Sequence, residues 1–332
     1  MRQTSLVLGG DLGGTSTRIV VADTAGLVVG RGTAGGSNPV SHPETAAAAL
    51  STALDAALHG LDPAQVEVAV IGAAGGVALA SPEVAGQFEA AWSGTGLPGA
   101  PTYIGDVEVA FASATTAPDG TALIAGTGAG AAELRDHRIV RTADANGWLL
   151  GDDGSGFWLG REAARATLRA LDELAPLGPL GEAVIAELLG GRPEGVPPET
   201  EWNGAKELRD QLIRSANSRP PVMLAELART VSTGYDAGDP AAVEIAERAA
   251  ELLIGTINRI RPVDSTGPLV LAGSVAGESS PVGRLLRERL KDVPGQVLTA
   301  RNGVGGAAWL ALRTLDPALA TPEAHASLTT PS

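Results

Sequence analysis

The stretch LVLGGDLGGTSTRIVVAD, from Leu6 to Asp23, decides the fold that we predict for this chain. Two short apolar runs flank a glycine-rich loop, and β-branched residues follow the glycines, which is the pattern of a β-hairpin. The glycines between residues 9 and 14 allow positive φ angles and a close approach to the backbone. Successive N–H groups in such a turn form an anion-binding concavity, so the hairpin predicts a phosphate site.

The polar side chains of this loop support the same interpretation. Thr15, Ser16 and Thr17 add hydroxyl groups to the amides of Gly13 and Gly14. Asp11 is the one carboxylate of the loop, and beside bound phosphates it is expected to hold Mg²⁺. The loop is not a Walker A loop, since GxxxxGK[ST] is absent, and it lacks the strand–GxGxxG–helix order of a dinucleotide site. An ordinary glycine-rich hairpin is the alternative.

Composition limits the classes of function. A chain of 332 residues with 44% apolar residues is long enough for two domains. With 24 basic and 38 acidic residues the net charge is −14, so no nucleic-acid partner is expected. The absence of cysteine excludes disulfides, thiolate zinc sites and cysteine-held iron–sulfur clusters. We see neither a signal peptide nor an apolar run of transmembrane length, and we expect a cytoplasmic protein without a membrane partner.

Two polar residues follow strand-like segments. Asn38 stands in the stretch Gly30–Val40, which is rich in small residues and is predicted to be a loop. It is either a turn residue or a contact to a sugar hydroxyl. Asp106 directly follows the short strand of TYIG and precedes an alanine-rich helical stretch. Strand ends of this kind carry chemistry in α/β folds, although an aspartate there is also a common helix N-cap.

Two further apolar strands end in glycine turns. The first runs into Gly126–Gly128, where Thr127 is available to a phosphate or a sugar oxygen, although a bulge turn in a hairpin has the same pattern. The second, LVLAGSVAG from Leu269, leaves Gly273 and Ser274 open to a flat base. We also expect helices over 222–233 and 304–315, and a frayed tail from Pro317.

The segment DANGWLLGDDGSGFWLGRE, from Asp144 to Glu162, combines acids, tryptophans and glycines ahead of a predicted helix that begins near Phe157. The paired Asp152 and Asp153 are typical of sugar binding, because one carboxylate accepts from two neighbouring hydroxyls. The alternative is a pair of acids that cap the helix. Ser155 does not fit a GxSxG nucleophile motif.

The order of the three glycine turns, with Asp106 before the second, resembles the phosphate, catalytic and adenosine elements of the actin-like ATPase superfamily. Within it, the run GDDGSGFWLGRE resembles the N-acetylglucosamine kinase and BadF/BadG-type ATPase family. The resemblance implies a two-domain α/β fold of ribonuclease H-like type with an interdomain cleft. The expected domains are 1–117, completed by the helix at 304–315, and 118–303, in a chain that we expect to form a homodimer.

The resemblance also implies ATP and Mg²⁺ as cofactors and one role for each element. Gly13, Gly14, Thr15 and Ser16 are the residues expected to face the nucleotide phosphates. The other implied roles are metal binding for Asp11, general base for Asp106, phosphate or sugar contact for Thr127 and Gly128, sugar hydroxyl contact for Asn38 and Asp152, and adenosine contact for Gly273 and Ser274.

Two departures from the family pattern bear on the substrate. The turn at Gly128 continues with Ala129-Gly130, without the asparagine that meets the acetamide in N-acetylglucosamine kinases. Asp144 stands where those relatives have glycine. A cationic 2-amino group needs an acidic partner, so we predict transfer of the γ-phosphoryl of ATP to the 6-hydroxyl of glucosamine. The alternatives are an N-acetylglucosamine or glucose kinase, or a non-catalytic sugar or nucleotide sensor.

Overall fold

The computed structural model describes residues 5–39, 42–73 and 81–330. The chain forms two compact units, and each returns to itself after an excursion into the other. Unit 1 consists of Met1–Gly120, Leu134–Ile139 and Leu298–Ser332, and unit 2 of Thr121–Glu133 and Val140–Val297. In the described part of the chain, none of the helices combines the length and apolarity that a membrane crossing requires.

Ten strands form two sheets of five strands each. The strands are β1 (Leu6–Leu12), β2 (Thr17–Asp23), β3 (Val28–Ala34), β4 (Val66–Ala73), β5 (Thr102–Gly105), β6 (Gly120–Ala125), β7 (Ala129–Arg135), β8 (Arg138–Asp144), β9 (Leu269–Ala272) and β10 (Val297–Thr299).

The α-helices described are α1 (Ala46–Leu58), α2 (Pro82–Ser93), α3 (Asp106–Ala114), α4 (Gly156–Asp172), α5 (Pro179–Leu189), α6 (Trp202–Asn217), α7 (Ala228–Asp236), α8 (Pro240–Asn258), α9 (Pro281–Arg289), α10 (Gly303–Leu315) and α11 (Pro322–Thr329).

The two sheets share one strand order. The first is β3-β2-β1-β4-β5, and the second is β8-β7-β6-β9-β10. In the first sheet β1 pairs antiparallel with β2 and parallel with β4, and in the second β6 pairs parallel with β9. The central strands β1 and β6 each lead into a glycine turn. This repeated order explains why the sequence shows the same strand-to-glycine pattern more than once.

Strand β1 is buried on both faces because helices cover both sides of its sheet. Leu8 and Leu12 pack into a core with α1 and α2. Val7, on the opposite face, packs into a second core with α3, α10 and α11. The strand is therefore an almost continuous apolar run, as expected for a strand with parallel pairing inside an α/β layer structure.

The backbones of helix α10 and strand β1 are in direct contact at Gly9. A Cβ atom added to Gly9 would lie 2.7 Å from Ala308 Cα and closer still to the Ala308 amide nitrogen. On the same helix, a Cβ added to Gly306 would lie 2.7 Å from Ser113 N of α3, and Gly305 meets the backbone of α11 in the same way. Gly9 of β1 and the two glycines of α10 thus set the spacing of four elements, β1, α3, α10 and α11.

Some sequence-based expectations were wrong. The stretch Gly30–Val40 is not a loop throughout, because β3 extends to Ala34 and pairs with β2; Val40 itself lies outside the described residues. The tail from Pro317 is not frayed, since α11 buries Ala324 and Leu328. Residues 222–233 begin as a 3₁₀-helix, Pro221–Leu227, before α7.

Of the two properties that glycine offers in the first loop, the structure uses the close approach and not the positive φ. None of Gly9, Gly10, Gly13 and Gly14 has a positive φ. Gly9 and Gly10 are ordinary strand residues of β1, and the space around them is what requires glycine. A Cβ on Gly10 would lie 3.0 Å from Ile19 Cδ1 and 3.0 Å from Ile71 Cγ1. Packing, and not backbone conformation, explains these two positions.

We expect Gly9→Ala to lower the free energy of unfolding by about 3 kcal/mol or more, the upper end for overpacking, because the new methyl group meets helix backbone that cannot rotate away. Gly86→Ala is the matched control. Gly86 lies inside α2 with open space around its Cβ position, so alanine there raises the free energy by ~0.5–1 kcal/mol. Urea unfolding of both variants measures the difference, and an unchanged Gly9→Ala midpoint would contradict the packing described above.

Candidate functional site

The β1–β2 loop of unit 1 is a compact turn with open amides. Gly13 N donates to Ser16 O (3.0 Å), which closes the turn. Thr15 is exposed, and the other residues between 13 and 16 are half-buried. A Cβ on Gly14 would meet nothing within 4 Å, so the backbone is accessible there. The loop predicted to bind phosphates is therefore a surface turn whose backbone a ligand can approach.

A second segment braces this turn from the side. The amides of Ser37 and Asn38 donate to Gly13 O (3.1 and 3.2 Å), and the fully buried Thr17 hydroxyl donates to Gly35 O (2.7 Å). Thr17 Oγ1 also lies 2.6 Å from Ser37 Oγ. The structure thus brings Asn38, the predicted sugar contact, next to the predicted phosphate turn.

Asp11 lies on the face of β1 that meets the N-terminal end of α10. A Cβ on Gly303, the first residue of that helix, would lie 2.8 Å from Asp11 Oδ2. Burial raises the pKa of Asp11 to about 6, against the opposing charge of Arg18 on β2 and with a further increase from the charge of Asp106. Among the described residues no group forms a hydrogen bond or ion pair with this carboxylate.

Asp106 is the first residue of α3 and is not its N-cap. Gly105 occupies the cap position in extended conformation, and Asp106 Oδ1 accepts from the amide of Val107 (3.0 Å). Burial raises the pKa of Asp106, the backbone hydrogen bonds lower it, and the charge of Glu108 raises it again. Asp11 and Asp106 are therefore two desolvated carboxylates of unit 1, and the charge of Asp106 acts on Asp11.

Glu108 is a site residue that the sequence analysis missed. Its carboxylate is buried, accepts from the amide of Gly105 (Oε2, 2.6 Å) and lies 3.6 Å from Arg138 Nη1. An acid at the third position of a helix that reaches back to the cap amide is a known N-terminal pattern, and this was the signal available in the sequence. Glu108 holds the turn that carries Asp106.

The residues of unit 1 fit a magnesium ion of the kind that nucleotide enzymes use. In the parts of the chain that the structure describes, no three acidic or histidine side chains cluster as a complete metal cage. Mg²⁺ does not need one, because one or two carboxylates with phosphate oxygens and water satisfy it. The unpaired, desolvated carboxylate of Asp11 is a suitable ligand.

In unit 2, the turn Gly126–Gly128 joins β6 to β7 and is tied to the start of α4. Gly126 O accepts from Gly156 N (2.7 Å), and Thr127 O accepts from Phe157 N (3.1 Å). The cap of α4 is Ser155, whose hydroxyl accepts from Trp158 N (3.2 Å). The paired aspartates before it therefore do not cap the helix, and Thr127 keeps an exposed side chain.

Asp152 lies directly against this turn. Its Oδ1 accepts from the amide of Ala129 (3.1 Å), and a Cβ on Gly128 would lie 2.9 Å from both of its carboxylate oxygens. The residue is 9% exposed and has a φ of 58°, a left-handed conformation that aspartate tolerates better than most residues. Burial raises the pKa of Asp152, and the charges of Asp144 and Asp153 raise it further.

Asp144 organises this acidic loop through its own carboxylate. Oδ1 accepts from the amide of Asp152 (2.9 Å), and Oδ2 accepts from the amide of Asp153 (3.1 Å). The residue also has a left-handed φ of 62°. Asp144 thus positions Asp152, a role that the sequence analysis did not foresee, and its contact with a sugar amine stays a prediction.

The third glycine turn lies beside the second. Val275 N donates to Ala125 O (2.9 Å), next to Gly126. Gly273 has a φ of 92°, and a Cβ there would lie 2.6 Å from the carbonyl carbon of Ala125, so only glycine fits. Gly273 and Ser274 are both exposed. The two turns of unit 2 therefore form one continuous surface.

Comparison with known proteins identifies the family of this chain. A model of the BadF/BadG/BcrA/BcrD ATPase family matches residues 8–311. The chain belongs to this family. It is also similar to the N-acetylmuramic acid/N-acetylglucosamine kinase of Clostridium acetobutylicum, with 26% identity over 159 residues. That match covers 47% of this chain and spans only 47% of the relative's length.

Solved structures share the fold of this BadF/BadG/BcrA/BcrD family member. One is a putative N-acetylglucosamine kinase from Chromobacterium violaceum, with a TM-score of 0.69 and 24% identity over 93% of this chain and 99% of that one. Another is a ROK family glucokinase from Streptomyces griseus in complex with glucose and AMPPNP, with a TM-score of 0.54 and 21% identity over 92% and 99% of the two chains. The predicted two-domain actin-like ATPase fold is confirmed.

Asp11→Asn should stabilise the protein at pH 7.5 in the absence of metal. The pKa of Asp11 is raised from 3.8 to about 6, so the folded state binds a proton that the unfolded state releases between these values. The ionised carboxylate lowers the free energy of unfolding by its full amount above pH 6, and it has no effect below about pH 4. Since one pKa unit is ~1.4 kcal/mol, we expect a gain of about 1–3 kcal/mol at pH 7.5 that vanishes at pH 4.

Chemical unfolding at the two pH values measures this gain. Asp55→Asn, at an exposed position of α1, is the control and should change neither midpoint. A destabilised Asp11→Asn protein at pH 7.5 would show that the carboxylate has a structural partner after all.

Proposed function

We propose that this chain is an ATP-dependent sugar kinase that transfers the γ-phosphoryl group to the 6-hydroxyl of an amino hexose, with glucosamine as the preferred substrate. The observation that carries the proposal is the pair of desolvated carboxylates, Asp11 and Asp106, in the unit that also presents an open glycine turn. A metal-binding acid, a base and an amide-lined turn are the parts that phosphoryl transfer needs.

Asp106 is the proposed general base. Its raised pKa makes it a stronger proton acceptor than an exposed aspartate, and its hydrogen bond from Val107 fixes the orientation of the carboxylate. It takes the proton of the attacking hydroxyl as the new bond to phosphorus forms. Protonation of Asp106 at low pH removes this function, so activity should fall as the pH falls through its pKa.

Asp11 is the proposed ligand of Mg²⁺, directly or through water, and the ion would neutralise charge on the phosphates of ATP. The amide of Gly14 and the hydroxyls of Thr15 and Ser16 bind the same phosphates in this proposal, whereas Gly13, whose amide donates to Ser16 O, shapes the turn. Their role is positioning and charge stabilisation, which carry most of the catalysis in phosphoryl transfer. In unit 2, the exposed Gly273 and Ser274 are proposed to receive the adenosine, and Thr127 a phosphate or sugar oxygen.

The acidic loop of unit 2 supports an amino sugar as substrate. Three acids lie close together in this loop, because the charges of Asp144 and Asp153 raise the pKa of Asp152. A cationic 2-amino group relieves this repulsion, whereas a neutral acetamide or hydroxyl does not. Asp152, backed by the amide of Ala129, and Asn38 are the proposed contacts to sugar hydroxyls.

The names of the relatives support a sugar as the substrate and also suggest an alternative substrate. The Clostridium acetobutylicum protein is a kinase of N-acetylmuramic acid and N-acetylglucosamine, so an N-acetylglucosamine kinase is the second candidate. A non-catalytic sensor is the third. ATP turnover that increases with added sugar distinguishes both kinases from a sensor.

Asp106→Asn tests the kinase proposal. The variant keeps the shape of the side chain and the hydrogen bond from Val107 but loses the base, so kcat should fall at least about 100-fold. Sugar affinity and thermal stability should not fall. Turnover of ATP with glucosamine is the assay, with Asp55→Asn as the control, and full activity of a folded Asp106→Asn protein would refute the assignment.

The substrate is tested by kcat/KM for glucosamine, N-acetylglucosamine and glucose, which we expect in the order glucosamine, glucose, N-acetylglucosamine. Asp144→Ala should lower all three values, because Asp144 also holds Asp152, but should lower glucosamine at least about tenfold more than glucose. Tenfold corresponds to ~1.4 kcal/mol, below the ~3–5 kcal/mol of a fully buried pair.

Asp153→Ala is the matched comparison for the neighbouring acid. If it alone produces the selective loss, the amine pairs with Asp153 instead of Asp144. A preference for N-acetylglucosamine, or equal losses on glucosamine and glucose in both variants, would overturn the proposed substrate while leaving the kinase proposal intact.

A further inference from the structure

A groove in unit 2, between α4 and α8, shares only Asp153 with the function proposed above. Its cavity volume is about 650 Å³, in the range of small-molecule sites. The apolar part of its lining includes the side chains of Trp158, Ile245 and Leu252. Arginines line the rest: Arg161, Arg165 and Arg169 from α4, and Arg248 from α8.

The arginines of α4 are spaced four residues apart and therefore lie on one face of the helix. Like charges at this spacing repel each other, which disfavours the helix unless an anion lies between them. Such a concentration of cations is unexpected in a chain with a net charge of −14. The groove is thus an exception to the charge of the protein as a whole.

Acidic residues of the groove neutralise only part of this charge. Glu162 is shared between Arg165 (2.9 Å) and Arg161 (3.3 Å). Within the described ranges, Arg169 and Arg248 have no ion-pair partner, and both are exposed. Asp153 and Glu244 also line the groove without pairing to either arginine. Two guanidinium groups, one from each helix, therefore stay available to an external anion.

We propose that the α4–α8 groove binds a small phosphorylated organic anion. The planar guanidinium group matches phosphate oxygens through two parallel hydrogen bonds, so Arg169 and Arg248 would hold the phosphate from both helices. The floor of the groove provides a small apolar surface for the carbon skeleton, where Trp158 and Ile245 are 6% and 7% exposed and Leu252 is half-buried. Inorganic phosphate would contact only the arginines, whereas an organic phosphate would contact both the arginines and the apolar part of the lining.

The groove is connected to the acidic loop by short covalent and hydrogen-bonded paths. Asp153 lines the groove, and its amide shares the carboxylate of Asp144 with the amide of Asp152. The first turn of α4 is bonded to Gly126 and Thr127. An anion that shifts α4 should therefore alter the affinity for sugar. This coupling rests on the proposed function, but the binding of the anion to the groove does not.

Isothermal titration calorimetry tests the binding, with pyrophosphate and glucose 6-phosphate as probes at low salt. The double variant Arg169→Ala/Arg248→Ala should lose at least tenfold in affinity for both probes, and the wild type should bind glucose 6-phosphate more tightly than pyrophosphate. Arg214→Ala is the matched control, since Arg214 is an exposed arginine on α6, outside the groove lining, and its loss should change neither affinity. Circular dichroism verifies that the variants are folded.

Equal affinities of wild type and double variant for both probes would overturn the proposal, as would the absence of saturable binding. A double variant that changes the oligomeric state and not the anion affinity would also overturn it, because the groove would then be an interface between copies. Sugar KM measured with and without glucose 6-phosphate, in wild type and double variant, tests the coupling separately. A failed kinase assay leaves the calorimetric result intact.

Discussion

The contact between α10 and β1 is the constraint on which unit 1 depends. Gly9 allows the helix backbone at Ala308 to come within van der Waals distance of the strand, and Gly305 and Gly306 do the same for α11 and α3. This spacing has two consequences. It closes the core on that face of the sheet, and it brings the N-terminal end of α10, at Gly303, against the Asp11 carboxylate. A bulkier residue at any of these glycines would move the helix, and with it the surroundings of Asp11.

Desolvation of that carboxylate is unfavourable for folding. A pKa of about 6 means that unit 1 keeps a negative charge at neutral pH in a place that disfavours it, with Asp106 as a charged neighbour. Proteins store such unfavourable interactions where function needs them, because a ligand that neutralises the charge recovers the free energy on binding. In our proposal a metal ion with its phosphates has this effect, which couples nucleotide binding to the stability of unit 1.

Unit 2 uses a comparable arrangement with a different purpose. Asp144 accepts from two consecutive amides and thereby fixes the backbone of Asp152 in a left-handed conformation against the turn at Gly128. The loop accumulates negative charge in a small volume, which favours a cationic ligand. The same loop leads into α4, which carries three arginines of the groove along one face. Acidic and basic side chains of unit 2 therefore lie side by side, since Asp153 of the loop also lines the groove.

The sequence by itself determined the fold class, the glycine turns and most of the residues that line them. Apolar runs that end in glycine are local features, and their order along the chain was enough to indicate the family. Asp11 and Asp106 could be proposed as functional because each is a lone acid at a strand end. The ordered C-terminal helix α11 could not be predicted, since its composition is typical of a tail. Its position depends on the burial of Ala324 and Leu328 and on contacts such as the hydrogen bond that Ser327 Oγ donates to Gly26 O.

Only the tertiary structure shows why the first glycines are required, which amides Asp144 binds and where the arginines of unit 2 form a groove. Gly9 could serve either a positive φ or a close backbone approach, and the structure shows that it provides space for a helix almost 300 residues later in the chain. The hydrogen bonds of Asp144 join residues eight and nine positions apart through a turn whose shape no local pattern specifies. The arginine groove requires α8 to lie beside α4. Gly9 and the groove depend on contacts between segments distant in sequence, and the Asp144 loop depends on a three-dimensional turn. A local pattern contains neither.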